Sequence, residues 1–329
     1  MRELLIFGNG LGRAIDNDFF NMTRALNVSW DDPEVLSDRQ KALIRQCLPE
    51  AVVEQNDAPS GEDDLALLQR ILAACDLINE VERRGEGKGW LSKTGKAFPD
   101  AIRRYIHRAA CEFHDTAHEL PEDFATPLRD HILKTKSHVA TLNYDKLLYE
   151  NFIGTDVFHG YECLIDGFIR GTFDAARLQR QTPRKTSYYL HLHGSPLFHD
   201  DKDGSPCKAR IPSLQDIAGN RSAHIVLTNV AHKESVIAAS PVLSAYWQRL
   251  DEVLEEVTQI TVLGYSGLDI HLNRRIRTVA RRRKLPIHVV ERKGDGTKAA
   301  RQAHWDDTLG AVTLHRPKNL LDFTGWGFE

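Results

Sequence analysis

Thr141-Leu142-Asn143-Tyr144-Asp145, TLNYD, is the stretch whose reading decides the fold. It follows Ser137-His138-Val139-Ala140, so an apolar, β-prone run ends in a polar cluster. Such a run reads as a buried parallel strand whose carboxyl end opens into a crevice. Asn143 and Asp145 leave the sheet there, and two readings stand side by side. In one they cap the next helix, since Asn and Asp are common N-caps and Lys146-Leu147-Leu148-Tyr149 can begin one. In the other they serve a ligand. Three more strand ends bearing glycine or histidine favour the second: GNGLG at 8–12, LHLHGS at 190–195 and LGYSGLD at 263–269.

Working outward, Leu4-Leu5-Ile6-Phe7 predicts a first buried strand, with Gly8-Asn9-Gly10-Leu11-Gly12 as the tight turn after it. Glycines at a strand-to-helix turn let backbone N–H groups approach a phosphate. The spacing GxGxG is not the dinucleotide fingerprint GxGxxG, and a close-packed turn without ligand is the competing reading. Asp16-Asn17-Asp18 lie on or beside the same loop. Residues from about 30 to 136 change to helical periodicity, over Asp38 to Cys47, Asp63 to Arg84, Phe98 to His118 and Asp123 to Leu133. They read as a helical insertion between the first and second sheet strands of one domain spanning 1–329.

Beyond TLNYD, Val157-Phe158-His159-Gly160 predicts another short strand end, and Gly167 to Pro183 a variable loop. Tyr188 to Ser195 alternates like a strand and stops at His193-Gly194, with Gly194 permitting close backbone approach. His191 shares the facing of His193 but lies deeper and reads as structural. His199 to Ser222 predicts a surface loop and Ile225 to Thr228 a strand. Ser244 to Glu256 is an amphipathic helix, and Ile260 to Leu263 a strand ended by Gly264-Tyr265-Ser266-Gly267, with Asp269 following. Arg274 to Lys284 forms a basic helix, and Ile287 to Val290 reads as the last clear core strand, ending in Glu291. An acidic residue at such a place can hold a ribose hydroxyl.

The alternation predicts an α/β fold, a Rossmann-like doubly wound parallel sheet whose strand ends gather at one carboxyl edge. A net charge of −3 gives no global basic field, so direct nucleic-acid binding is not expected. Five scattered cysteines with no CxxC pair support neither a zinc ribbon nor a disulfide framework, and fit a reducing cytoplasm. Arg2 and the short apolar run behind it read as a strand and not a signal peptide, and no apolar run approaches membrane-spanning length. The chain has no HExxH and no Walker A lysine, and no metal is expected.

GNGLG, TLNYD, LHLHGS and LGYSGLD, in this order, resemble the four motifs of the sirtuin fold. The match is closest to sirtuin-like domains of bacterial antiphage defence proteins. The resemblance implies an NAD domain with a helical module, Asn143 and His193 as the catalytic pair, and Asp145 beside the nicotinamide end. It gathers Gly8, Asn9, Gly10, Gly12, Asp16, Gly194, Gly264, Ser266, Asp269 and Glu291 around the rest of NAD, with Ser266 and Glu291 at the adenosine-side ribose. Two departures weaken a protein-deacylase reading. The four-cysteine zinc ribbon is missing, and Asp16-Asn17-Asp18-Phe19-Phe20 stands where that family has PDFR.

Defence members without the zinc module are NAD hydrolases. The implied function is therefore an NAD glycohydrolase; a deacylase and a non-catalytic NAD or ADP-ribose sensor are the alternatives. A homo-oligomer and a separate controlling protein, a HerA-type ATPase or a short Argonaute, are the partners that the resemblance implies.

Overall fold

The structure, a computed structural model, describes residues 2–48, 58–59, 61–85, 89–158, 163–209, 224–226, 230–294 and 296–327. Seven strands form one parallel sheet. They are β1 (Glu3–Phe7), β2 (His138–Thr141), β3 (Leu164–Ile165), β6 (Ser187–His191), β9 (Gln259–Leu263), β10 (Ile287–Val290) and β11 (Thr313–His315), in the order β11-β10-β9-β1-β2-β6-β3. β1 is central, with Leu5 paired to Val139 of β2 and to Thr261 of β9.

Both faces of this sheet are covered, and β1 shows why its sequence is a continuous apolar run. Leu5 and Phe7 face one core, Leu4 and Ile6 the other, and all four are buried. The first core belongs to the insertion, with helices α2 (Met22–Asp31), α3 (Asp38–Gln46), α4 (Glu62–Arg83), α5 (Lys93–His114) and α6 (Glu122–Thr135), behind a short α1 (Gly10–Ile15). Trp30 and Tyr105 meet edge-to-face at 5.8 Å there, and the Tyr105 hydroxyl donates to the Leu26 carbonyl. The second core is closed by α9 (Pro241–Glu256), α10 (Ile270–Arg283) and α11 (Lys298–Leu309). The two remaining described helices, α7 (Leu147–Phe152) and α8 (Val230–Ala239), follow β2 and precede α9.

Three expectations need correction. Residues 167–183 are not only loop. β4 (Phe168–Ile169) and β5 (Thr172–Phe173) form a hairpin, and with β8 (Pro206–Lys208) and β7 (Phe198–Asp200) a second, antiparallel sheet. The connection Arg170-Gly171 has positive φ at both residues, as a two-residue hairpin turn demands. Lys208 anchors this sheet to the main one, pairing with Asp166 and donating to the Tyr149 hydroxyl at 2.6 Å.

Ile287 to Val290 is not the last strand, because β11 pairs beyond it. Ile225 makes only an isolated bridge to Gly194 in place of a strand; Leu227 and Thr228 lie outside the described residues, as do His159, Gly160 and 210–223.

Candidate active site at the carboxyl edge of the sheet

β2 ends at Thr141, whose hydroxyl accepts the Asn143 N–H at 3.1 Å and turns the chain out of the sheet. Asn143 is 3% exposed, and neither its Oδ1 nor its Nδ2 finds a hydrogen-bond partner among the described residues. A buried amide left unpaired costs about 1–3 kcal/mol, so native proteins rarely keep one without use. Asp145 behaves differently: its Oδ1 accepts the Leu147 N–H at 3.1 Å at the start of α7. Asp145 thus serves the start of α7 through the residue two positions on, the N-cap itself being Lys146, while Asn143 takes no part in it. Burial pushes the Asp145 carboxyl up to about 7, against two backbone N–H contacts that pull it down.

β6 delivers His193 to the same edge. Leu192 N–H donates to the Thr141 carbonyl, Trp247 Nε1 to the Leu192 carbonyl and Val226 N–H to the His193 carbonyl, each at 2.9 Å. The Tyr144 hydroxyl in turn donates to the Val226 carbonyl. The histidine backbone is therefore held from β2, α9 and the 224–226 segment together. Its ring, 17% exposed, lies 6.5 Å from that of Tyr144, and its Nε2 lies 3.1 Å from Asp269 Oδ2. Burial, with the Lys233 ammonium behind it, pushes His193 down to about 4 against the pull of Asp269. Asp269 caps α10 through the Leu272 N–H, and His193 with Lys233 holds its carboxyl far below the usual carboxylate range, outweighing burial. In sheet order β1 and β2, and so TLNYD, lie between the two elements that this contact joins.

Close packing accounts for the glycines. A Cβ at Gly8 or Gly10 would stand 2.7 or 2.6 Å from the Gly264 carbonyl oxygen, and one at Gly12 would strike Phe20. The turns after β1 and β9 interlock, and the N–H groups of Gly8 and Gly10 are spent on the Leu263 and Gly264 carbonyls. These two amides, which the glycine-rich turn offers to a phosphate in the sequence, are committed inside the protein. Gly194 has φ +83°, and a Cβ there would lie 1.7 Å from the His224 carbonyl oxygen.

The other expected binding residues are scattered. Asn9 Nδ2 donates to the Phe20 carbonyl, and Asp16 accepts the N–H groups of Asp18 and Phe19. Ser266 is exposed and accepts the Leu268 N–H. Glu291 stands at its strand end, but Arg301 holds it bidentately, Trp305 Nε1 donates to it at 2.8 Å and Arg316 faces it at 3.0 Å. Its acceptors are engaged by the protein.

Lys233 went unnoticed in the sequence. It sits in Val230–Ala239 with no glycine, strand end or charge pattern beside it, and only the fold brings it to His193. Three of the seven basic residues from Arg274 to Lys284 pair with carboxylates, Arg274 with Glu234, Arg275 with Asp251 and Arg282 with Glu255, while Arg283 donates to the Leu254 carbonyl. A cavity of about 550 Å³ among the insertion helices lies apart from this edge. Its two cations, Lys41 and Arg45, lean on the Trp30 ring, and Asp31 and Asp38 share its wall, so no single chemistry converges there.

Fold and edge together define an α/β protein with a cluster of buried polar side chains at the carboxyl ends of a doubly wound parallel sheet. Its sequence matches the SIR2-like domain model over residues 137–310, more than half of the chain, and the chain belongs to that family. Membership implies an NAD-related activity. A solved structure described as "Structural Basis for the Mechanism and Regulation of Sir2 Enzymes" overlaps 98% of this chain and 89% of its own, at 10% identity and a TM-score of 0.42. So loose an overlap carries no argument, and the family assignment rests on the sequence match. No curated protein matches the chain. Among the described residues no helix is long and apolar enough to cross a membrane, and no group of three or more His, Cys, Asp or Glu could hold a metal ion.

Proposed function

We propose that the chain is an NAD⁺ glycohydrolase that breaks the nicotinamide–ribose bond to give nicotinamide and ADP-ribose. The observation that carries this reading is Asn143, buried with both amide atoms unpaired among the described residues, just past the end of β2 and beside β6, whose end leads to His193. The amide suits a ribose hydroxyl or a water molecule, which both offer a donor and an acceptor. Cleavage of the bond develops oxocarbenium character, as in other glycoside hydrolysis, and the attacking water loses a proton. His193, held neutral at pH 7 by its surroundings, is the group able to accept it. The imidazolium formed then faces the Asp269 carboxylate. The mononucleotide half of NAD therefore lies over the ends of β2 and β6. Asp145, near half-protonated at neutral pH, suits the carboxamide end.

Incubation of the pure protein with NAD, with and without an acylated peptide, tests the reading. Nicotinamide and ADP-ribose without peptide are expected. Turnover only with peptide makes the protein a deacylase, and binding without turnover makes it a sensor. We further propose that such an activity serves antiphage defence by depleting NAD, and that a homo-oligomer or a separate protein, a HerA-type ATPase before a short Argonaute, holds it in check. Light scattering with candidate partners tests that part.

A further inference from the structure

Lys233 is 3% exposed, and its ammonium pairs with Asp269 Oδ2, lies 2.5 Å from His193 Nε2 and stands 5.6 Å from the centre of the Trp247 ring. Burying an ammonium is costly unless it is paired. A structural ion pair with Asp269 would meet that need without a histidine. Asp269 has other bonds as well, since its Oδ1 accepts the Leu272 N–H. The third member of the cluster therefore needs its own explanation.

The explanation lies in what each group can donate. An ammonium has donors only, and an ionised carboxylate acceptors only. Nε2 facing the ammonium must present its lone pair, so the ring proton sits on Nδ1. The ammonium then bridges two acceptors, Nε2 and Oδ2, that would otherwise repel across 3.1 Å. Without Lys233 the same 3.1 Å contact would be satisfied the other way round, by an Nε2–H donating to Asp269. That form has no lone pair to offer a substrate at Nε2.

We propose that Lys233 is a positioning residue: by donating to Nε2 and neutralising Asp269, it fixes His193 as the neutral Nδ1–H tautomer with its lone pair held ready on Nε2. A substrate hydroxyl or water, itself a donor, replaces the ammonium on that lone pair, and Lys233 stays on Asp269. The proton passes from that oxygen to Nε2, giving an imidazolium beside a carboxylate. The catalytic part of this inference rests on the hydrolase reading; the tautomer does not. Among the described residues, the charged and polar groups facing His193 are Lys233 from α8, Asp269 from the start of α10 and the Tyr144 ring just past β2.

The test is ¹⁵N NMR of histidine-labelled full-length protein, with His193 assigned by its loss in His193→Gln. The wild type should show the Nδ1–H tautomer at pH 7 and a titration midpoint well below 6.5. In Lys233→Met the tautomer should switch to Nε2–H and the midpoint rise by about 1–3 pH units, because Asp269 then acts alone. Lys233→Arg should restore the wild-type tautomer. If Lys233→Met does not fold, Asp269→Asn, which keeps a capping side chain at that position, should retain Nδ1–H with no rise in midpoint. An unchanged tautomer in Lys233→Met, or an Nε2–H wild type, overturns the proposal.

NAD turnover separates the two readings. Lys233→Met should lower kcat at pH 7 with little change in KM, and move the acid limb of the pH profile upward. A switched tautomer in a protein that never cleaves NAD would leave this inference standing and remove the hydrolase.

Discussion

The two edges of the main sheet carry similar residues in opposite states. At the amino edge, Glu3 pairs with His131 and accepts from Gln259 Nε2 and Thr261 Oγ1, both at 2.9 Å, while its own N–H donates to Ser137. Glu256 closes the same edge against Arg180, His138 and Arg2. At the carboxyl edge the Asn143 amide is bare and three charge-capable groups crowd onto one another. Histidines, carboxylates and buried polar atoms are present at both. What distinguishes the carboxyl edge is Asn143, a side chain with both polar atoms unmet among the described residues: a satisfied group has spent its interactions on the fold, and an unsatisfied one has kept them for something else.

The largest expected effect is on chemistry at the carboxyl edge. His193→Ala should cut NAD turnover by about 10²- to 10⁴-fold in a folded protein, read by nicotinamide release beside circular dichroism. Retained activity would move the base elsewhere. Next comes the amino edge, where Glu3→Leu leaves His131, Gln259 and Thr261 short of an acceptor. It should cost on the order of 3 kcal/mol in chemical denaturation, with turnover per folded molecule unchanged. Lost turnover at full stability would mean that the two edges are coupled.

The smallest effect is a pH dependence that runs in opposite directions at two residue types. His114, His138 and His193 are each pushed down to about 4 by burial, from 6.5. A folded-state value below the unfolded one gives stability that is full above about 6.5 and is lost as the pH falls toward 4. Asp145 is raised from 3.8 to about 7, so its contribution is full below 3.8 and is lost as the pH rises to 7. Asp145→Asn, which keeps an acceptor for the Leu147 N–H, should therefore stabilise the fold more at pH 8 than at pH 5. Thermal unfolding at the two values reads the difference, which is at most about 1.4 kcal/mol for each pH unit by which burial raises the carboxyl. An equal gain at both values would mean that the carboxyl is not ionising where burial places it.

The sheet was legible because both of its faces are buried, which writes each strand as an apolar run that stops at a polar or glycine-bearing end. β1, β2, β6, β9 and β10 were all read in this way. β11 was missed because it is a three-residue edge strand, and the second sheet because its strands are two or three residues long. Such elements owe their existence to partners, here Lys208 reaching Asp166, and not to local pattern. Asn143, His193 and Asp269 were legible as strand-end residues. Lys233 was not, since a helical lysine looks like a solvated one until tertiary packing buries it. GNGLG reads as a tight turn offering its N–H groups to a phosphate, yet Gly10 and Gly12 open α1 and the close approach is between Gly10 and Gly264, a long-range contact that spacing does not encode.

If Asn143 is kept unpaired for a ligand, removing its amide should cost function and not stability. Asn143→Leu replaces the amide with methyl groups of nearly the same shape, and the measurement is its Tm set beside its NAD turnover. Turnover should vanish while Tm stays level or rises, because a buried polar group without partners has been removed. The same substituent at Glu3 should lower Tm. A Tm falling by several degrees in Asn143→Leu, with turnover per folded molecule intact, would show that Asn143 belongs to the fold and contradict the account.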